Sequence, residues 1–137
     1  MRISTEAGYL LKQVQHELRC KMDAVLAVLE LTTAQYAVLV EITKSPGLSN
    51  AELARRSFVT PQTMNLIVQN LAKRKIIERN HSASHSRIIN IEITPSGMAL
   101  LRKAEGVVWE VEAEYFGCMN KTEVQSFIAL LTKLKEE

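Results

Sequence analysis

The chain has 137 residues, 47% of them apolar, which is enough for one packed domain and ordinary for a globular protein. No apolar run approaches the roughly 20 residues of a membrane span, and the amino terminus lacks the apolar core of a signal peptide, so we expect a cytoplasmic protein with no membrane partner. Two cysteines, Cys20 and Cys118, are too few and too far apart for a disulfide framework or a zinc finger.

Residues 5–30 are predicted to form one long helix, because apolar side chains recur there at three- and four-residue steps. At 1.5 Å per residue such a helix is about 40 Å long, which is too long for the core of so small a domain. Part of its apolar stripe should therefore pack on a second copy of the chain. The stripe comprises Ala7, Leu10, Leu11, Val14, Leu18, Met22, Val25, Leu26 and Leu29.

A second helix is predicted to begin within residues 31–36, with Thr32 or Thr33 as its N-cap. It should end before Ser45, because the sequence Ser-Pro-Gly that begins there is a strong helix breaker. The side chains expected to pack inward from this helix are Tyr36, Leu39, Val40 and Ile42.

Residues 49–73 are predicted to form two further helices joined by a tight turn at residues 57–59. Ser49 or Asn50 can cap the first of them, because either side chain can accept a hydrogen bond from a free backbone N–H. The side chains expected to face inward from this short helix are Ala51, Leu53 and Ala54.

The second helix of this pair has two chemically distinct faces. Thr60 is its predicted N-cap, and Pro61 occupies the first position, where a missing N–H costs nothing. The predicted buried face consists of Met64, Ile67, Val68 and Leu71, and the outer face of Gln62, Thr63, Asn65, Leu66, Gln69 and Lys73. Gln, Asn and Thr side chains can read base edges in a DNA major groove, although a helical hairpin with an ordinary polar face fits this pattern equally well.

A β-hairpin is predicted directly after these helices, with strands at residues 76–79 and 87–93 and a polar tip at residues 80–86. In the second strand, Ile89, Ile91 and Ile93 should share one face, and Ile88, Asn90 and Glu92 the other. Residues 49–94 carry seven basic and three acidic side chains, a net charge of +4, within a chain of net charge +2. This excess is typical of a phosphate-binding surface, and a basic hairpin tip can lie along the DNA minor groove.

Two helices are predicted to complete the chain. Thr94 caps the first, which Gly117 should end. Asn120 and Glu123 have the spacing of a capping box at the start of the last helix. Its apolar stripe, Val124, Phe127, Ile128, Leu131 and Leu134, needs a surface to cover, which the first helix and a partner chain can supply.

This order of elements resembles the MarR family of winged helix-turn-helix regulators over nearly the whole chain. The matching segments are Leu31-Thr32 with Gln35-Tyr36, Ala51 to Ala54, Val59 to Thr63, Leu71 with Arg74, and Arg87 with Ile93 to Gly97. The resemblance implies a mainly α (α+β) fold, with a winged helix-turn-helix at residues 31–94. Residues 1–30 and 95–137 would form a helical dimerisation region.

The function that the resemblance implies is that of a homodimeric repressor, which covers a pseudo-palindromic operator in double-stranded DNA. A small aromatic or phenolic effector would bind in a cleft that helices one, two and five line, and its binding would release the DNA. We expect no cofactor, no metal and no enzymatic activity, because the sequence contains no phosphate loop, nucleotide fingerprint or nucleophile–base pair.

The predicted DNA-contacting residues follow from the same resemblance. Gln62, Thr63, Asn65 and Gln69 would face the groove, and Thr60 and Lys73 would lie near phosphates. Arg87 matches the wing arginine of the family. The whole predicted set consists of Asn50, Thr60, Gln62, Thr63, Asn65, Gln69, Lys73, His85 and Arg87. The family usually has an Asp two residues before the wing arginine, where this chain has His85; a protonated His85 could touch phosphate, or it could be a mobile tip residue.

Three other functions compete with this interpretation. A redox-sensing regulator would act through Cys20, but that residue lies close to the apolar stripe of the first helix, where a cysteine is commonly a small hydrophobe. A metal sensor could use His81 and His85, although a hairpin tip does not place them on one face. A winged helix can also serve as a protein–protein adaptor, which the polar outer face and the basic segment disfavour.

Overall fold

The computed structural model describes residues 2–81 and 89–136 of the chain. These residues form six α-helices and one two-stranded antiparallel sheet, which confirms the predicted fold class. In chain order the elements are α1 (Ile3–Leu26), α2 (Thr33–Lys44), α3 (Asn50–Arg56), α4 (Pro61–Lys73), β1 (Ile77–His81), β2 (Ile89–Ile93), α5 (Pro95–Tyr115) and α6 (Lys121–Lys135). Short 3-10 turns follow α1 at Ala27–Leu29 and α5 at Phe116–Cys118.

Side-chain caps set the starts of five of these helices. The hydroxyls of Thr32 and Ser49 accept hydrogen bonds from backbone N–H groups three residues later, which makes these residues the caps of α2 and α3. Thr60, Thr94 and Asn120 cap α4, α5 and α6 in the same way. At α2, α3 and α6 a Gln or Glu side chain accepts a hydrogen bond from the backbone N–H of the cap residue, so each is a complete capping box.

Two predictions about the helices are wrong. Ala51 is exposed, because it lies about 200° around α3 from the buried Leu53. Gly117 does not end α5 as a left-handed glycine; α5 ends at Tyr115, and Gly117 lies in the 3-10 turn that the N–H of Met119 closes on the carbonyl of Phe116.

The core lies where α1, α2 and α5 meet and continues between α3, α4 and the sheet. Its buried side chains include Leu26, Leu39, Ile42, Leu53, Met64, Leu71, Ile77, Ile91 and Leu101. The first turn of α5 presses closely on the chain before β1, since a Cβ at Gly97 would collide with the carbonyl of Ile76. Among the described residues, no single helix has the length and apolar content needed to cross a membrane, and only α1 and α2, bent by 80°, meet those criteria jointly.

The sheet forms the base of the predicted wing. Its register pairs Ile77 with Ile93 and His81 with Ile89, so the first strand lies later than the predicted 76–79. Ile76 stays outside the strand because its N–H bonds the carbonyl of Leu71, 3.0 Å away, and closes the end of α4. On the second strand Ile91 is buried, but Ile89 is 42% exposed near the hairpin tip.

Candidate nucleic-acid interface

Helix α4 presents the predicted reading face to solvent. Met64, Val68 and Leu71 are buried, and Ile67 packs against them, which confirms the inner face. The six side chains of the outer face, Gln62, Thr63, Asn65, Leu66, Gln69 and Lys73, are all exposed. A helix with this outer face can therefore enter a groove without disturbing the core that holds it.

Two threonines at the start of α4 are engaged with each other. The Thr60 hydroxyl accepts a hydrogen bond from the N–H of Thr63 at 3.1 Å and donates one to Oγ1 of Thr63 at 3.0 Å. Both residues are exposed. Their first task is thus to fix the start of α4 at Pro61, and the predicted contacts of Thr60 with phosphate and of Thr63 with bases stay predictions.

Asn50 differs from the other predicted contact residues. It is the first residue of α3 and half-buried, and Ser49 takes the capping role. Its Oδ1 is buried and has no hydrogen-bond partner among the described residues. The role of Asn50 in DNA contact stays a prediction.

The wing residues of the predicted set, His85 and Arg87, lie outside the described residues, as does the side chain of His81. Their roles stay predictions. Elsewhere in residues 2–81 and 89–136, no group of three or more His, Cys, Asp or Glu side chains is arranged to hold a metal ion.

Helix α4 is tied to the preceding helices by two polar contacts that sequence patterns did not indicate. The amide of Gln35, in the capping box of α2, donates to Oδ1 of Asn70 at 3.1 Å. The guanidinium of Arg74 donates to the carbonyls of Glu30 and Leu29 at 2.7 and 3.3 Å. Both contacts join residues far apart in the chain, so periodicity could not find them.

The basic charge near α4 is partly engaged within the fold. Arg56, at the end of α3, donates to Oγ of Ser45 at 3.0 Å and lies 4.0 Å from the carboxylate of Glu41. Arg55 and Lys73 are exposed, as is Arg79 on β1. These exposed side chains remain available to phosphates on either side of a groove.

Cys20 does not lie in an apolar environment. It is exposed on α1, and its Sγ lies 3.7 Å from Nε2 of His16, one helical turn earlier. The expectation that Cys20 acts as a small hydrophobe is therefore wrong for this chain by itself, because the stripe that packs inward runs through Met22 and Leu26 instead. The idea of redox sensing through Cys20 stays untested.

Two depressions lie on the long helices. One, of about 390 Å³, lies between α1 and α5 and is lined by Lys21, Ala24, Val25, Val111, Glu114 and Tyr115.

Tyr36 lies on α2, where that helix faces α5. Burial raises the pKa of Tyr36 above its usual range, and the carboxylates of Glu105 and Glu112 on α5 add to this effect.

The second depression, of about 570 Å³, is an apolar groove between α1 and α6, which we call the terminal groove. Its lining residues are Ala7, Gly8, Leu10, Leu11, Val14, Phe127, Leu130, Leu131 and Leu134. No residue of α6 is fully buried, and Leu130 and Leu134 are 63% and 68% exposed. Helix α6 therefore has an apolar face that this chain does not cover.

A helix-turn-helix whose second helix carries an exposed polar face, followed directly by a two-stranded wing, defines a winged helix-turn-helix DNA-binding protein. Residues 29–88 match the sequence profile of the MarR family. The HTH-type transcriptional repressor Rv2887 of Mycobacterium tuberculosis is 37% identical over 127 residues, which cover 93% of this chain and 91% of that protein. The chain belongs to the MarR family, and it is a DNA-binding transcriptional regulator.

Solved structures of Rv2887 share the fold. In its complex with DNA, Rv2887 matches with a TM-score of 0.81 and 35% identity, over 93% of this chain and 95% of that one. In its complex with salicylic acid the TM-score is 0.79 and the identity 37%, over 93% and 94% of the two chains.

Proposed function

We propose that the protein is a cytoplasmic, homodimeric repressor without enzymatic activity, which binds a two-fold symmetric operator and leaves it when a small aromatic acid binds. The observation that carries the DNA-binding part is the outer face of α4. Its Gln62, Asn65 and Gln69 side chains are exposed and make no hydrogen bond to another described residue. Such side chains contribute nothing to the fold, but their paired donors and acceptors suit base edges.

Dimerisation is supported by the terminal groove. An apolar groove on the two ends of the chain suits a second copy, because a two-fold axis lets each α6 cover the α1 of its partner. Two copies of α4 would then contact successive major grooves of one duplex face, about 34 Å apart.

Effector release is supported by the relatives. Rv2887 has been crystallised with salicylic acid and with p-aminosalicylic acid. In the depression between α1 and α5, Lys21 lies beside the apolar side chains of Ala24, Val25 and Val111, which suits an aromatic ring with a carboxylate substituent. The hydroxyl of Tyr115 is already engaged, since it donates to Glu17 at 3.1 Å.

The first experiment is fluorescence anisotropy with labelled DNA from upstream of the protein's own gene, at several salt concentrations and with unrelated duplex as competitor. We expect tight binding that resists the competitor, with log affinity that falls linearly with log salt. Gln69→Ala should weaken specific binding and leave non-specific binding unchanged, whereas Lys73→Ala should weaken both and reduce the salt slope. Equal, weak binding to operator candidates and unrelated DNA throughout the upstream region would contradict sequence-specific reading.

Salicylic acid is the probe for effector release. Added to the protein–DNA complex at millimolar concentration, it should lower the anisotropy, and benzyl alcohol, which has no carboxylate, should not. An adaptor that binds only protein would show no DNA binding at low salt in the first experiment.

A further inference from the structure

Leu66 is the one apolar side chain on the outer face of α4. It is 69% exposed. At about 100° per residue, Leu66 lies about 160° around the helix from both the buried Met64 and the buried Val68, each of which is two residues away. It therefore occupies the centre of the exposed face and not its border with the core.

The neighbours of Leu66 place it among the side chains that are free to read bases. Gln62 is one turn before it and Gln69 one turn after, on the same stripe of the helix. On the flank of this stripe, Asn70 is engaged with Gln35. Thr63, on the same flank, is engaged with Thr60. The centre of the face thus consists of two amides with an isobutyl group between them.

Leu66 gives the isolated fold little burial energy, since most of its surface is in water. A leucine there gains free energy only when a partner covers it. In the major groove the apolar group that a base edge offers is the C5 methyl of thymine. Amides on both sides of Leu66 can meanwhile pair with polar edges of the adjacent bases.

We propose that Leu66 reads the methyl group of a thymine in each half-site of the operator, so that it is a specificity-determining residue. This inference rests on the proposed function, because it requires α4 to enter the major groove. It predicts that the operator contains a T·A pair at one fixed position, flanked by pairs that the amides of Gln62 and Gln69 contact.

The test uses duplexes that the 137-residue chain itself selects from a randomised pool. Each dT of the selected duplex is replaced singly by dU, which removes the methyl group and leaves all hydrogen-bonding atoms in place. With the unsubstituted chain we expect one dT per half-site at which dU weakens binding about fourfold, and about fifteenfold when both half-sites are changed, as burial of one methyl-sized group predicts.

The decisive variant is Leu66→Ala, which should bind the dT and dU duplexes equally. Val28→Ala is the matched control, because Val28 is also apolar and 84% exposed but lies outside α4, and it should keep the full dU penalty. A dU penalty that persists in Leu66→Ala, or a selected duplex insensitive at every dT, would overturn the role of Leu66 and leave specific DNA binding intact. Recovery of no preferred sequence from the pool would overturn both the role of Leu66 and the proposed function.

Discussion

Arg74 Nη1 donates a hydrogen bond to the carbonyl oxygen of Glu30 across 2.7 Å, which joins the end of α4 to the turn after α1. Nη2 of the same side chain reaches the carbonyl of Leu29 at 3.3 Å. Both carbonyls belong to the turn after α1, where no N–H group further along a helix is available to donate to them. Because α1 carries the terminal groove and α4 carries the reading face, this side chain connects the proposed dimer contact to the proposed DNA contact.

Arg74→Met should lower the free energy of unfolding by about 1–3 kcal/mol, because it removes a charged donor from two carbonyls. Urea denaturation measures the change. Glu30→Gln is the matched control: it removes a carboxylate that lies 3.9 Å from Arg74 and is 85% exposed, but it keeps the backbone acceptor. It should cost less than about 0.5 kcal/mol, and equal losses in the two variants would show that the ion pair, and not the carbonyl contacts, holds α4.

Three helix ends share an unusual feature. Glu30, Phe58 and Lys75 have left-handed backbones, with φ of 56°, 56° and 59°. In each case the next N–H bonds a carbonyl five residues earlier, at 3.1, 3.2 and 3.0 Å, which is the Schellman arrangement. Glycine is the residue that normally takes this place, so each position is strained in this chain.

Lys75→Gly should therefore raise the free energy of unfolding by about 0.5–1 kcal/mol, as relief of the left-handed strain exceeds the entropy that glycine adds to the unfolded chain. Lys75→Ala is the control, since it removes the same side chain but keeps the Cβ that causes the strain. Urea denaturation should show a gain for the glycine variant alone. A similar gain in both variants would assign the effect to the lysine side chain.

These helix ends mark the limit of what the sequence could predict. Helix starts are encoded locally, and the caps at Thr60, Thr94 and Asn120 were predicted correctly from residue type and spacing. Helix ends are less clearly encoded: the breaker at Ser45 correctly predicts the end of α2, but Gly117 misplaces the end of α5. The start of α4 could be predicted without a glycine, because Thr60 followed by Pro61 is a clear signal for the first turn of a helix.

The candidate site divides in the same way. The outer face of α4 follows from helical periodicity, so its six exposed side chains could be read from the sequence. The contacts Gln35–Asn70 and Arg74–Glu30 join positions 35 and 44 residues apart, and only the packed fold brings them together. The exposure of Cys20 also follows from periodicity, because Cys20 lies two residues, or about 160°, from both Leu18 and Met22 of the apolar stripe, and closeness in sequence is a poor guide to burial.

A connection between α1 and α2 depends on pH. Oδ1 of Asp23 accepts a hydrogen bond from the N–H of Thr33 at 2.7 Å, at the start of α2. Hydrogen bonding from Thr33 lowers the pKa of Asp23 below its ordinary value of 3.8. Burial opposes this shift in part, and the charge of Arg19 adds a smaller lowering. Since the folded-state pKa is depressed, the carboxylate contributes its full stability above the unfolded-state pKa and loses it as pH falls through the folded-state pKa.

Asp23→Asn should accordingly cost about 1 kcal/mol near neutral pH. The difference between the two proteins should stay constant from pH 7 down to about 5 and shrink below about pH 4. Urea denaturation at a series of pH values measures it. Glu110→Gln, on the exposed side of α5, is the control and should leave the curve unchanged, whereas a difference for Asp23→Asn that grows on acidification would reverse the assigned sign.

The terminal groove gives the last prediction. Leu10 is 50% exposed in the single chain, and it lines the groove together with residues of α6. If a second copy covers this groove, Leu10→Asp removes apolar contact at two symmetry-related places and buries a carboxylate at each. We expect the dimer to weaken by at least about 3 kcal/mol, or more than a hundredfold.

Sedimentation velocity at micromolar concentration should then show a monomer for Leu10→Asp. Its affinity for an operator with two half-sites should fall towards the affinity for a single half-site, because the winged helix-turn-helix of each chain would bind alone. Val28→Asp is the matched control, since it places the same charge at an apolar residue that is 84% exposed and outside the groove. A dimer that survives Leu10→Asp but dissociates in Val28→Asp would move the interface from the terminal groove to the turn after α1.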